Sequence, residues 1–169
     1  GLHGRYGPDD VLLCGLPLFH VNGVMVSGLA AFHHGAQVLL PGPQGYRNPT
    51  LIKDFWRLVE RYRVSSFSGV PTIYAALLQI PNEGIDVSTL RFALCGAARM
   101  PVELIRQFEA RTGLRIIEGY GRTEGTCATA CNPYEGERRP GSIGLRLPYC
   151  EVKVAVLDSD GNYLRDAAT

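Results

Sequence analysis

Short apolar runs alternate with stretches of helical spacing along most of the chain, and this alternation constrains the fold more than any other feature. The runs are Val11–Cys14, Gln37–Leu40, Val64–Phe67, Arg91–Cys95 and Arg115–Glu118. Between them, Asn48-Pro49 supplies a capping side chain and a proline at the first helical position, and Leu51, Ile52, Phe55, Leu58, Val59 and Tyr62 follow at helical spacing. Pro71–Gln79 carries Ile73, Tyr74, Leu77 and Leu78 on one side. Pro101–Thr112 carries Val102, Ile105, Phe108 and Thr112 on one face, with Gly113 as its stop. Val21–His34 is apolar nearly all round, which predicts a buried helix ending at Gly35. Five strands separated by four helices predict βαβ units: an α/β fold with a parallel sheet and flanking helices.

The pattern changes after Tyr120. Gly, Pro and charged residues dominate from Asn132 to Pro148. Val152–Leu157, the turn Asp158–Gly161 and Tyr163-Leu164 then predict the opening hairpin of a smaller antiparallel piece. The expected organisation is a βαβ subdomain over 1–122 and a loop with an incomplete β subdomain over 123–169. The chain starts at Gly1 and reaches Thr169 with that second sheet unfinished, so it reads as an internal piece of a longer protein.

Lys+Arg number 17 and Asp+Glu 16, a balance that gives no electrostatic case for nucleic acid or an anionic membrane. No charged residue occurs from Leu12 to Tyr46, but His20, Asn22, His33, His34 and the five glycines from Gly15 to Gly42 break that stretch too often for a transmembrane segment. Residues 1–10 hold Arg5, Asp9 and Asp10 rather than the apolar run of a signal peptide. Five widely spread cysteines argue against a disulfide framework and for a reducing, cytoplasmic setting. Cys127 and Cys131 lack a partner pair or a nearby histidine, so buried thiols account for them better than zinc. The sequence leaves the oligomeric state open.

Parallel sheets bind ligands beyond the carboxyl ends of their strands. Three loops are placed there: Ser68-Gly69, Gly96-Ala97-Ala98, and Gly119 to Gly125. Taken singly, each is a tight turn; together their small residues favour close approach of a flat, anionic ligand. In the third loop, the Thr123 hydroxyl beside the Glu124 carboxylate suits a phosphate and its magnesium ion, and Tyr120 offers a ring for a base. The plainer account is an exposed polar turn with a buried tyrosine. His20 occupies a strand-to-helix junction on the same edge, where a capping or core histidine is the ordinary alternative. A Walker phosphate loop and the G-x-S-x-G of hydrolases are both missing.

These residues match a family pattern. Glu118-Gly119-Tyr120-Gly121-Arg122-Thr123-Glu124 resembles the YGxTE motif of the adenylate-forming (AMP-binding) enzymes, which include acyl-CoA synthetases, luciferases and peptide-synthetase adenylation domains. Leu16-Pro17-Leu18-Phe19-His20-Val21-Asn22-Gly23 resembles their PLFHxxG segment, Leu94-Cys95-Gly96-Ala97-Ala98 their adenine loop, and Arg139-Pro140-Gly141-Ser142-Ile143-Gly144 their PGSxG turn. The order and spacing agree over essentially the whole chain, with fatty-acid and aryl-acid CoA ligases the most similar members. Cys95 stands where many members have glycine, and Ala98 where they have proline.

The resemblance implies a two-step reaction. A carboxylic acid attacks the α-phosphate of ATP to give an acyl-adenylate, and coenzyme A then displaces AMP. It implies that Gly96, Ala97, Ala98, Glu118, Gly119, Tyr120, Gly121, Arg122 and Thr123 bind the nucleotide, with Tyr120 stacked on adenine. Thr123 would contact phosphate and Glu124 would hold Mg²⁺, the two acting as catalytic residues. His20, Ser68, Gly69 and Gly119 would border the acid. The family's lysine-bearing phosphate loop, its ribose-binding aspartate and its mobile C-terminal domain have no counterpart in the chain. Lys53 and Lys153, the only lysines, sit in other contexts. The isolated chain is therefore expected to be inactive, and a non-catalytic nucleotide-binding or protein-interaction module is the alternative reading.

Overall fold

A computed structural model describes residues 6–167. The readings made for residues 1–5 and for Thr169 lie outside the described residues. The strands are β1 (Val11–Leu13), β2 (Gln37–Leu39), β3 (Ser66–Gly69), β4 (Phe92–Cys95), β5 (Arg115–Arg122), β6 (Cys127–Cys131), β7 (Leu145–Arg146), β8 (Ala155–Leu157) and β9 (Tyr163–Asp166). β1 to β7 form one seven-stranded sheet in the order β2-β1-β3-β4-β5-β6-β7, and β8 and β9 form a separate antiparallel pair. β1 to β5 run parallel, whereas β6 and β7 are antiparallel additions. The α/β class with a largely parallel sheet is as the sequence predicts.

Successive residues on the central strands face opposite sides of the sheet, and both sides are buried. Leu13, Phe67, Ala93, Cys95 and Ile116 join the larger core cluster, while Leu12, Phe92, Leu94 and Ile117 join the smaller one on the other face. The larger cluster is covered by α2 (Pro49–Lys53), α3 (Phe55–Tyr62), α4 (Pro71–Leu77) and α5 (Val102–Thr112). Phe55 and Trp56 are 0% and 1% exposed, and burying each such side chain contributes roughly 1.5–3 kcal/mol. Asn48 caps α2 as expected, accepting from the Thr50 amide at 3.0 Å. The helix expected over Leu51–Tyr62 breaks at Asp54, and Arg63 ends it in a left-handed conformation at φ 51°.

The smaller cluster is covered by one helix, α1, formed by Asn22–Leu29 and continued by Ala30–His33. Its first eight residues adopt the wide i→i+5 turn, a geometry often found at functional sites. The expectation of full burial is corrected: Leu29 and Phe32 are 51% and 64% exposed, and only Gly23, Ser27, Gly28 and Ala31 are buried. An apolar composition sets no preferred face, and the sheet covers just one.

Two strand boundaries also differ from the reading. β3 starts two residues late and includes Ser68 and Gly69, which were expected in a loop. β5 continues past Glu118 to Arg122. It pairs in parallel with β4 as far as Cys95↔Glu118, then in antiparallel with β6 from Gly119↔Cys131, with a bulge between Tyr120 and Gly121.

Candidate active site

Because β1 to β5 are parallel, their carboxyl ends meet on one edge, and a cavity of about 540 Å³ opens there between the sheet and α1. Of the residues expected to bind, His20, Ser68, Gly96, Ala97, Gly119, Tyr120 and Gly121 line it. Among the described lining residues there is no Asp, Glu, Lys or Arg.

A residue that sequence reasoning did not single out joins these loops. Asn22, the first residue of α1, accepts the Ser68 hydroxyl on Oδ1 at 2.8 Å. Its Nδ2 lies 3.5 Å from where a β-carbon on Gly96 would stand. The signal was present in the segment His20-Val21-Asn22-Gly23, but an asparagine beside a histidine reads locally as a helix cap. Gly23 follows because the helix start presses on the preceding turn: a β-carbon there would lie 2.4 Å from the Pro17 carbonyl oxygen.

His20 is exposed, not a core residue. Its Nδ1 accepts the Asn22 amide at 3.2 Å. The neutral ring therefore carries its proton on Nε2, which can donate to an incoming carboxylate. If His20 borders the acid as the resemblance implies, His20→Ala in the full-length protein is expected to change the relative kcat/KM among acids by about 1–3 kcal/mol. Equal loss for every acid together with a lowered melting temperature would assign His20 to structure alone.

Ala97 holds φ 67°, a left-handed value that favours glycine and turns the chain sharply after β4. Tyr120 is 36% exposed at the cavity mouth, and its hydroxyl meets the Arg122 Nε at 2.9 Å.

The remaining expected residues stand apart from the cavity wall. Gly69 packs on structure instead, since a β-carbon there would lie 3.2 Å from the Tyr74 ring. Ala98 is exposed beyond the turn. Glu118 accepts the Gly141 amide at 2.7 Å. Burial pushes its carboxyl group above the usual range, against the pull of that amide and of Arg138 and Arg99. Thr123 and Glu124 lie exposed on a short 3₁₀ turn, Thr123–Gly125, just past β5.

The Gly141–Gly144 turn is clamped beside β6. Buried Asn132 donates to the Ser142 carbonyl at 2.7 Å and accepts the Arg139 amide at 3.1 Å. Arg138 reaches Glu109 at 2.5 Å and fixes the same loop to α5.

The arrangement can hold a planar ring system against glycine backbone at the strand ends, with an apolar group running alongside α1. A family profile described as "AMP-binding enzyme" matches residues 2–169. The chain is 47% identical over 158 residues to the marinolic acid–CoA ligase of Pseudoalteromonas sp. (strain SANK 73390), covering 94% of this chain and 24% of that protein. It is similar to the crystal structure of the anthranilate CoA ligase AuaEII in complex with anthranoyl-AMP, at TM-score 0.79 and 27% identity, covering 94% of this chain and 30% of that one. It is also similar to ATP-bound MatB from Rhodopseudomonas palustris, at TM-score 0.77 and 31% identity, covering 95% of this chain and 30% of that one. The chain thus spans about a quarter of the length of the curated relative.

Proposed function

The chain belongs to the AMP-binding enzyme family, and on that premise we propose that it forms the central part of an ATP-dependent acid–CoA ligase. The full-length protein activates a carboxylic acid as its acyl-adenylate and passes the acyl group to coenzyme A. The observation that carries this reading is a cavity bordered by glycine backbone and a tyrosine and lined on its far wall by apolar side chains. Gly96, Gly119, Gly121 and Tyr120 border the mouth, and Met25, Val26, Leu94 and Leu147 line the interior.

Each group has a definable task. A β-carbon at Gly96 would lie 3.4 Å from the Gly119 carbonyl oxygen, so a larger residue would fill the gap between the two strand ends. A flat base fits against these edges with Tyr120 stacked on it. The His20 ring orients the acid's carboxylate near the Asn22–Ser68 pair. Thr123 contacts phosphate, and the Arg122 guanidinium holds the Tyr120 hydroxyl. Catalysis on this plan is placement together with neutralisation of phosphate charge.

The donors suit magnesium. Among the described residues no cluster of three His, Cys, Asp or Glu is gathered to cage a metal. Glu124 is exposed next to the Thr123 hydroxyl. One carboxylate with substrate phosphates and several retained waters is how magnesium binds. When bound, the ion offsets charge on the phosphates, and Glu124 is the side chain that would hold it.

No described helix is long and apolar enough to cross a membrane. The five cysteines are free thiols, which supports a reducing, cytoplasmic location.

The test is acid-dependent ATP–pyrophosphate exchange by the full-length protein, followed by thioester formation on adding coenzyme A. Absence of exchange across a broad acid panel would defeat the reading and leave a nucleotide-holding module. The 169-residue chain alone is expected to show no exchange above a heat-killed control. Tyr120→Ala in the full-length protein is expected to weaken ATP and AMP binding by roughly 1–3 kcal/mol and to leave acid preference alone. A change in acid preference without a change in nucleotide affinity would move Tyr120 to the acyl pocket.

A further inference from the structure

The cavity does not end with the carboxylate site. It follows the length of α1, touching Asn22 at one end and His33 and His34 at the other. Asn22 to His33 spans about 15 Å of helix. The middle of the wall is apolar, with Met25, Val26 and Ala30 from the helix and Leu94, Ala130 and Leu147 opposite. Both ends are polar, and neither carries an Asp, Glu, Lys or Arg among the described lining residues.

At the far end the two imidazoles stand edge to face, with ring centres 4.9 Å apart, and Tyr6 lies 6.2 Å from the second ring. No described protein group hydrogen-bonds to a ring nitrogen of His33 or His34. The Tyr6 ring is stacked on Phe92. Its hydroxyl is buried near Ser66 without a hydrogen bond of ordinary geometry. Arg91, close enough to influence the Tyr6 hydroxyl, is paired with Asp10 at 2.5 Å. His33 is exposed and His34 half-buried, so a methyl terminus arriving there displaces water from the imidazole nitrogens without replacing its hydrogen bonds, whereas a hydroxyl terminus replaces them.

We propose that the acid activated at this site is an aliphatic acid with a hydroxyl group at the end remote from its carboxylate, and that His33 and His34 receive that hydroxyl. The proposal rests on the acid–CoA ligase reading above. Met25, Val26 and Leu94 accommodate the methylene chain, and His20 with the Asn22–Ser68 pair accommodates the carboxylate. A second carboxylate is disfavoured because no Lys or Arg lines the far end among the described residues.

The test compares straight-chain acids from octanoate to dodecanoate with their ω-hydroxy and dicarboxylic counterparts, using the full-length protein. Adenylation is read by pyrophosphate exchange, and binding is read separately by calorimetry. At matched length the ω-hydroxy acid is expected to exceed the plain acid by about tenfold in kcat/KM and in affinity. His33→Ala combined with His34→Ala is expected to bring that ratio close to one, and the His→Gln pair to retain part of it.

Equal use of plain and hydroxylated acids, a preference for the dicarboxylic acid, or a ratio untouched by the double alanine variant would each overturn the proposal. Exchange with plain acids but no hydroxyl preference would refute the proposal and leave the ligase reading standing. Tighter binding of the hydroxy acid with no exchange for any acid would refute the ligase reading and support the pocket assignment. The wild-type comparison decides even if the double variant fails to fold.

Discussion

Glu124→Gln in the full-length protein is expected to lower acyl-adenylate formation by about 10²-fold or more. The substitution keeps the size and hydrogen-bonding reach of the side chain and removes its charge. Glu124 is exposed on the turn that ends β5, and the Thr123–Gly125 turn makes no core contact to lose. A loss of activity would therefore report on the ion and the phosphates rather than on folding. Losing one preorganised charge contact is worth roughly 3 kcal/mol at the transition state. The check is single-turnover adenylation at several Mg²⁺ concentrations, with a melt to verify the fold. Activity within about threefold of wild type at all concentrations would remove Glu124 from the reaction.

The second large effect falls on stability. Gly121→Ala is expected to destabilise the protein by about 3 kcal/mol or more. A β-carbon at Gly121 would lie 1.6 Å from the Cys127 carbonyl oxygen and 2.8 Å from the Ala128 α-carbon. Both are backbone atoms of β6, so no side-chain rotation relieves the contact. Relief requires β6 to move away from the bulge in β5, which also displaces Cys127 and Ala128 on the cavity wall. Urea unfolding of matched wild-type and variant proteins measures the loss. A midpoint unchanged from wild type would mean that the two strands separate at this bulge with little cost. Gly125→Ala, on the turn that follows β5, serves as the control, because its nearest atom would be the Thr129 hydroxyl at 3.7 Å.

Much of the sheet was legible because local signals and tertiary demands agreed. Paired apolar residues such as Leu12-Leu13 and Ile116-Ile117 each supply one side chain to each buried face. Asn48-Pro49 and Gly113 punctuate helices by local chemistry that needs no partner. The shortfalls occur where a partner decides. Gly119-Tyr120-Gly121-Arg122 reads as a loop because of its glycines, yet β6 gives it ladder hydrogen bonds. Ser68 and Gly69 become strand because β4 pairs with them through Leu94 and Cys95. The exposed flank of α1, with Leu29 and Phe32, could not be told from its buried flank by composition. At the candidate site, the glycine loops and Tyr120 were visible as motifs. The Asn22–Ser68 hydrogen bond joins residues 46 apart in sequence, which no local pattern encodes.

β5 outlasts its neighbour. β4 stops at Cys95 opposite Glu118, while β5 continues for four more residues held by β6 alone. An edge therefore opens inside the sheet, not at its margin. Along that flank, backbone groups from Gly119 to Arg122 have no strand opposite them. At an outer margin such a row would invite a foreign strand. Here Gly96, where an added β-carbon would lie 3.4 Å from the Gly119 carbonyl oxygen, and the chain that turns away after it stand beside the row, which faces the cavity. On the proposed function this interior edge is the rail on which the base would dock; its width is set by where β4 ends, and extending β4 past Cys95 would close it.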